Sequence, residues 1–457
     1  MARRDVASNL IGLNISEVPK PAAVLDVAKI RNHCSAMLKA VQDLGVEFRA
    51  HIKTHKTIEV TELQLGDSGD DAKLIVSTVA ELEHLLPLLE RYLRDGRRIN
   101  VLYGIPIPPS QALRVANLAR QLGPGSLVFM VDHPSQLDAL RLFREEAGFA
   151  AGVYIKVDTG YHRAGLPANS LNKGDLVQDL FNMEQQNVIH LFGLYSHSSL
   201  SYAGDKPTDA FDSLTDEIKG CLEALKELRR HFKGTRVVNI SVGASPQAIS
   251  LQNLGNSKFL AELSDAATEL KNLLKPSSLD DDAQGITTSL EIHAGVYSIL
   301  DLQQLATKSN ATFQSYEKEI ALRVVAEVVS IYNDHERYQP EALIAVGTLG
   351  LGREPCQSYH GWGIIGTENM PKLSGSGHRL IVDRISQEHA IIAWERVEGE
   401  DPASMPPIPL EVGQAVFVYP NHACVTGAMY KSYLVIDSSR KNNQGQVIDI
   451  WKRCSGW

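Results

Sequence analysis

The run Arg49-Ala50-His51-Ile52-Lys53-Thr54-His55-Lys56 sets two lysines and two histidines within six residues. Just before it, Val46-Glu47-Phe48-Arg49 alternates apolar with polar, as a half-buried strand does, so the basic residues fall where a strand ends. In a parallel sheet or barrel, the carboxyl ends of the strands are where loops build an active site. A lysine held there among cations and apolar side chains has its ammonium destabilised, which leaves neutral amine to attack a carbonyl and form a Schiff base. Lys53 and Lys56 both qualify. A second stretch, Tyr419-Pro420-Asn421-His422-Ala423-Cys424, sets His422 and Cys424 two apart. In an extended segment they project to the same side, and imidazole with thiolate is a zinc-favouring pair. Two protein ligands fall short of a closed structural site and leave positions open for a water or a substrate oxygen.

Other expected strand ends suit a phosphate-bearing cofactor. The stretch from Lys156 to Gly165 places Arg163 in a glycine-flanked loop, and Gly193-Leu194-Tyr195-Ser196-His197-Ser198 offers the aromatic Tyr195 and the imidazole of His197. Gly243, Ala244 and Ser245 are small, so backbone N–H groups can approach an anion and a serine can add a hydroxyl. Glu291-Ile292-His293-Ala294-Gly295-Val296-Tyr297 supplies one more histidine, and Tyr297, at the last of these ends.

Stepping from these residues to the elements that must hold them, 457 residues exceed what one core usually supports, so two domains are expected. Strand-like runs at 22–26, 46–51, 74–77, 98–103, 126–131, 152–157, 188–195, 236–242 and 290–293 alternate with helical patterns. This predicts an α/β fold, a (β/α)8 TIM-like barrel over 21–300, with a doubly wound sheet as the other topology. Residues 256–288, with the acidic turn Asp280-Asp281-Asp282, read as an insertion. After about residue 300 the β-branched runs lose their helical partners. Residues 1–20 and 301–457 are therefore expected to form an antiparallel β domain, the one carrying His422 and Cys424. A net charge of −9 argues against a nucleic-acid partner, and no apolar run approaches the ~20 residues of a membrane span. Five irregularly spaced cysteines fit reduced thiols and a cytoplasmic protein.

Taken in order, Arg49–Lys56, Lys156–Gly165, Tyr195-Ser196-His197, Ser241-Val242-Gly243-Ala244, His293-Ala294-Gly295 and Pro420–Cys424 resemble the eukaryotic D-serine dehydratase family. Its relatives are the D-threonine aldolases, within the alanine-racemase-like, fold type III pyridoxal-phosphate enzymes. The resemblance runs over nearly the whole chain. It implies that Lys53 carries pyridoxal 5'-phosphate and that His422 and Cys424 bind Zn2+, where the aldolases resemble this pattern with an Asp in place of the Cys. It further implies that Arg163 orients the cofactor's hydroxyl or a neighbouring carboxylate and that Tyr195 lies near its ring. Gly243, Ala244 and Ser245 would cradle the phosphate, with His197 and Tyr297 as supporting groups. The segment Ala345–Arg353 and the insertion depart from the family pattern and bear on which D-amino acid is taken.

The chemistry so implied is removal of the α-proton of D-serine, or of D-threonine, by Lys53 and loss of a metal-bound hydroxyl, giving a 2-oxo acid and ammonia. A metal-dependent D-threonine aldolase, releasing glycine and an aldehyde, is the alternative enzyme. A non-enzymatic pyridoxal-phosphate carrier is the alternative of another class. The resemblance also implies a homodimer acting on a small D-amino acid, with no nucleic-acid or membrane partner.

Overall fold

The computed structural model describes residues 9–67, 69–231, 235–255, 264–275, 285–368, 378–396 and 399–457. The chain forms two compact units: a β unit made of the N-terminal segment through His33, Ser298–Ala306 and Phe313–Arg453, and a barrel unit made of Cys34–Tyr297, Thr307–Thr312 and Cys454–Trp457. The strand over Ala22–Asp26 (β1), expected to open the barrel, lies in the β unit, where it pairs antiparallel with Leu322–Tyr332 (β10) and parallel with Ser432–Ile436 (β16). The reason is physical: Ala22-Ala23-Val24-Leu25 is apolar on both faces, and a central strand of a two-sided sheet reads the same as a barrel strand.

Eight parallel strands close the barrel in chain order: β2 (Glu47–His51), β3 (Ala72–Val76), β4 (Ile99–Pro106), β5 (Leu127–Val131), β6 (Ala151–Lys156), β7 (Ile189–Tyr195), β8 (Arg236–Val242) and β9 (Ile286–Ala294). The helices between them are α1 (Val27–Leu44), before β2, then α2 (Ile58–Leu65), α3 (Val79–Arg94), α4 (Ala112–Leu122), α5 (Leu137–Ala147), α6 (Leu176–Gln185), α7 (Pro207–Arg229) and α8 (Ser245–Ser250). Two are capped by a threonine at the end of the preceding loop. Thr57 Oγ1 accepts from Val60 N at the start of α2, and Thr78 Oγ1 accepts from Glu81 N at the start of α3. Of the expected insertion, residues 256–263 and 276–284 lie outside the described residues. Between them α9 (Ser264–Leu273) buries Ala267 and Leu270 and sends Glu269 to Lys219 on α7 at 2.5 Å.

Alternation along the strands decides what fills the barrel. In β2, Arg49 points inward, and its Nε lies 2.6 Å from Glu291 Oε1 of β9. Its guanidinium also donates to Asn100 Oδ1 at 2.8 Å and to Glu291 Oε2 at 3.1 Å. Burial alone would push both charges toward neutrality. Glu291 outweighs that penalty for Arg49, holding its pKa above the ordinary value, and Arg49, with Lys73, holds the Glu291 carboxyl below the usual range. Beside this polar layer, Tyr154 donates to Asn239 Oδ1 at 2.7 Å, and Ile75, Leu102, Val128, Met130, Tyr154 and Tyr195 form an apolar cluster.

The β unit holds a nine-stranded sheet in the order β11-β14-β13-β12-β15-β10-β1-β16-β17. The members not yet given are β11 (Glu341–Ile344), β12 (Ile364–Ile365), β13 (Leu380–Ile385), β14 (Ala390–Trp394), β15 (Ala415–Tyr419) and β17 (Asp449–Lys452). Successive residues of β10 feed two different cores. Val324, Ala326 and Val328 join one cluster, and Val325 joins another with Val24, Phe417 and Ile436. That is why apolar residues occupy successive positions over Val324-Val325-Ala326, without the strict alternation of a one-sided strand. Among the described residues no helix is long and apolar enough to cross a membrane, and none of the five cysteines is in a disulfide.

Removing one half of the Arg49–Glu291 pair leaves the other charge buried and alone. Arg49→Met is therefore expected to cost about 3–5 kcal/mol of stability, and the Arg49→Met/Glu291→Leu double variant less than either single one. Denaturant unfolding of the three proteins checks this, and equal losses in all of them would refute it.

Candidate active site

Two residues beyond Arg49 on the same face of β2 is His51, and two beyond Glu291 on β9 is His293. The strands' common phase thus delivers His51, Lys156, Tyr195 and His293 to the interior at the carboxyl ends of β2, β6, β7 and β9. Tyr195 and His293 stack with ring centroids 4.4 Å apart and planes 6° apart. The Lys156 amine sits 4.6 Å from the centroid of the same tyrosine, and His197 lies 5.5 Å from His293. His293 Nδ1 is 3.1 Å from Ser241 Oγ, which donates at 2.8 Å to Glu291, so the polar layer below and the ring above are continuous.

Lys53 follows β2 in a turn, exposed, and among the described residues no carboxylate pairs with its amine. Lys56, the other candidate, is committed elsewhere: its Nζ lies 2.8 Å from the fully buried carboxylate of Glu81 on α3. His55 is also occupied, with Nε2 2.9 Å from Gln64 Oε1 and Nδ1 3.2 Å from Thr57 Oγ1. Around Lys53 the imidazoles are neutral. Burial is the main cause of the low pKa values of His51, His197 and His293, and the charge of Lys53 lowers each of them further. Burial likewise brings Lys156 down to about 8, opposed chiefly by Glu217.

The other sequence candidates are placed as follows. Arg163 is exposed in the loop after β6, its guanidinium 5.1 Å from the Tyr161 ring, and its charge reaches Lys156 and Tyr195. His197 Nδ1 lies 2.6 Å from Gly243 O. Gly243 has φ +133°, and a Cβ there would come within 2.7 Å of His293 O, so both backbone freedom and close approach exclude a side chain. Ala244 and Ser245 open α8, and Ser245 Oγ accepts from Gly295 N at 3.4 Å. Tyr297 turns away from this group: its buried ring packs edge-on against Phe48, centroids 5.5 Å apart, with its hydroxyl toward Cys34 and Gln64.

A ring-bearing anion fits this mouth. Among the described residues the buried Nε2 of His293 has no hydrogen-bond partner, and the buried Lys156 amine has no ion-pair partner within 4.0 Å. Residue type alone gives His51, Lys156 and His293 no particular role. The period of two, counted from Arg49 and Glu291, is the signal that singles them out.

In the β unit, β15 ends at Tyr419, and His422 is the cap residue of α10 (Ala423–Ala428). His422 and Cys424 therefore meet across a helix start, not along the extended segment expected, and their side chains hydrogen-bond to each other. Asp301 Oδ2 accepts from Ala423 N at 2.8 Å, and Glu354 Oε2 lies 3.9 Å from His422 Nδ1. Burial disfavours the imidazolium. Cys424, Asp301 and Glu354 outweigh it and raise His422 to about 9. This corner collects negative charge around an imidazole and a thiol, a donor set suited to a borderline-soft dication. Among the described residues no third His, Cys, Asp or Glu completes a metal cluster with the pair.

Comparison with known proteins agrees with this architecture. Residues 25–258 match the alanine racemase N-terminal domain, and residues 321–436 match the putative serine dehydratase domain. The D-serine dehydratase of Schizosaccharomyces pombe is 31% identical over 100% of this chain and 96% of its own length. That of Saccharomyces cerevisiae is 31% identical over 99% of this chain and 100% of its own. Among solved structures, D-threo-3-hydroxyaspartate dehydratase from Delftia sp. HT23 superposes with a TM-score of 0.71 at 26% identity, covering 97% of this chain and 100% of that one. A cysteine-to-alanine mutant of a D-threo-3-hydroxyaspartate dehydratase, described as in the metal-free form, superposes with a TM-score of 0.70. A barrel whose strand ends gather an exposed lysine and three imidazoles of lowered pKa, and 31% identity to two such enzymes over nearly their whole length, lead to one conclusion: the chain belongs to the D-serine dehydratase family of lyases.

Proposed function

We propose that this protein catalyses β-elimination of D-serine, and of D-threonine as a second substrate, to a 2-oxo acid and ammonia. Pyridoxal 5'-phosphate would be carried on Lys53 and zinc held by His422 and Cys424. The observation that carries the reading is the division of labour between the two lysines: Lys56 is tied to Glu81, and Lys53 presents an accessible amine among neutral imidazoles. The names of the fungal relatives support the substrate class, and the imidazole and thiol of His422 and Cys424, hydrogen-bonded to each other beside Asp301 and Glu354, support the metal site.

When bound, the cofactor supplies an electron sink for the α-carbon and zinc supplies Lewis acidity for a leaving hydroxyl. The rest is the work of the chain's own side chains. Lys53 Nζ would hold the cofactor and is the side chain placed to accept the α-proton. His51, His197 and His293, kept uncharged by burial, line the mouth without adding cations that would repel a protonated lysine. Tyr195, clamped by its stack on His293, offers a fixed aromatic surface, with Lys156 and Arg163 supplying positive charge for an anionic group. The backbone at Gly243 and Ala244 and the hydroxyl of Ser245 suit the phosphate.

Lys53→Ala is expected to abolish the visible absorbance band of the bound cofactor and to lower turnover about a thousandfold or more, whereas Lys56→Gln keeps the band. A retained band in Lys53→Ala would end the assignment. With D-serine, the expected products are pyruvate and ammonia, and glycine released from D-threonine as the main product would favour the aldolase reading instead. Chelation, His422→Ala and Cys424→Ala are each expected to remove about one metal equivalent per chain, read by elemental analysis, and at least about a hundredfold of turnover. Full activity in metal-depleted protein would overturn the role of zinc.

A further inference from the structure

Glu217, on α7, is a buried carboxylate that the chemistry above leaves unused. It is 1% exposed, and its two oxygens reach two different loops. Oε1 accepts from Ser198 N at 2.8 Å, and Oε2 accepts from the Gln247 side-chain amide at 3.0 Å. The hydroxyl of Ser196 is a further partner. Ser196 and Ser198 flank His197 in the turn after β7, and Ser196 Oγ is also 2.9 Å from Thr159 Oγ1 in the loop after β6. Gln247 is fully buried in α8, directly behind Gly243, Ala244 and Ser245. The loops after β7 and β8 are joined a second time by His197 Nδ1 and Gly243 O. An ionised carboxylate is costly to bury unless it is hydrogen-bonded and balanced. Here burial raises its pKa, opposed by Ser196, Lys156, Gln247 and Ser198. For packing alone, an apolar side chain would serve better.

We propose that Glu217 is a positioning residue for the barrel mouth, its carboxylate fixing the His197 turn and the Gln247 helix to each other so that His197, Gly243 and Ser245 keep one arrangement around the cofactor. This rests on the cofactor reading above. Glu217 touches no reacting atom. It acts through the loops it joins.

The test is titration of apo protein with pyridoxal 5'-phosphate, followed by visible absorbance and circular dichroism, alongside the melting temperature of each apo protein. Glu217→Ala and Gln247→Ala are expected to weaken binding about tenfold or more, the consequence of leaving buried donors unpaired, and to alter the dichroism of the bound cofactor at saturation. Glu217→Gln is expected to stay within about threefold of wild type. Its carbonyl oxygen still accepts from Ser198 N, and its amide donates to Gln247 once that side chain turns over. A purely structural role would lower melting temperatures but leave affinity and dichroism of the folded protein unchanged, and that result overturns the proposal. So does Glu217→Gln failing as badly as Glu217→Ala, which would assign the effect to charge. If Glu217→Ala does not fold, Gln247→Ala, which removes only one arm of the bridge, decides by the same criteria. Wild-type protein that takes up no cofactor overturns the cofactor reading itself, before any variant is compared.

Discussion

The buried ion pair between Arg49 and Glu291 is the constraint on which the barrel site depends. With contacts of 2.6 Å and 3.1 Å between two buried side chains, neither residue can turn outward without leaving the other's charge buried and alone. Because side chains alternate along a strand, fixing Arg49 inward fixes His51 inward two residues later, and fixing Glu291 does the same for His293. A slip of one residue in β2 or β9 would bury Phe48 or Ile292 in the lumen and turn that strand's imidazole toward the outer helices. The polar layer therefore acts as a register lock, and the reactive end inherits its geometry from it. Ser241 extends the lock to β8 by touching both Glu291 and His293.

Above that layer, burial sorts the ionisable groups by charge. Burial lowers the pKa values of the three imidazoles and brings Lys156 down to about 8, while Lys53 projects from the turn into the open. One basic side chain is thereby left accessible among several that are withheld. In the β unit the sorting runs the other way. Cys424, Asp301 and Glu354 crowd around His422, so that corner attracts positive charge where the barrel mouth presents it.

Much of this was legible in the sequence because the barrel strands are short apolar runs set between amphipathic helices, and the chemistry lies at their ends. Each limit on that legibility has a physical cause. β1 was placed in the barrel because an apolar pentamer looks alike in both settings, and only its pairing with β10 and β16 distinguishes them. β12 is two residues long and β17 is a polar edge strand, so neither carries enough pattern to stand out. On residue type and spacing alone Lys53 and Lys56 look alike, and only the family resemblance favours Lys53, since the structural difference between them is Glu81, on a helix 25 residues further on. Tyr297 follows the last strand closely enough to be grouped with the site, but the short helical turn Val296–Ser298 rotates its ring toward Phe48. Glu217 carried no signal, because a lone carboxylate in a long amphipathic helix looks solvated until the loops it bridges are known.

The central claim is that the accessible amine at the end of β2 carries the cofactor, and one measurement addresses it directly. Holoprotein is reduced with borohydride to make the cofactor linkage permanent, and the modified lysine is located by peptide mass mapping. A pyridoxyl group on Lys53 alone is the expected result. The same group on Lys56 or Lys156, or on no lysine, would contradict the assignment and the chemistry built on it.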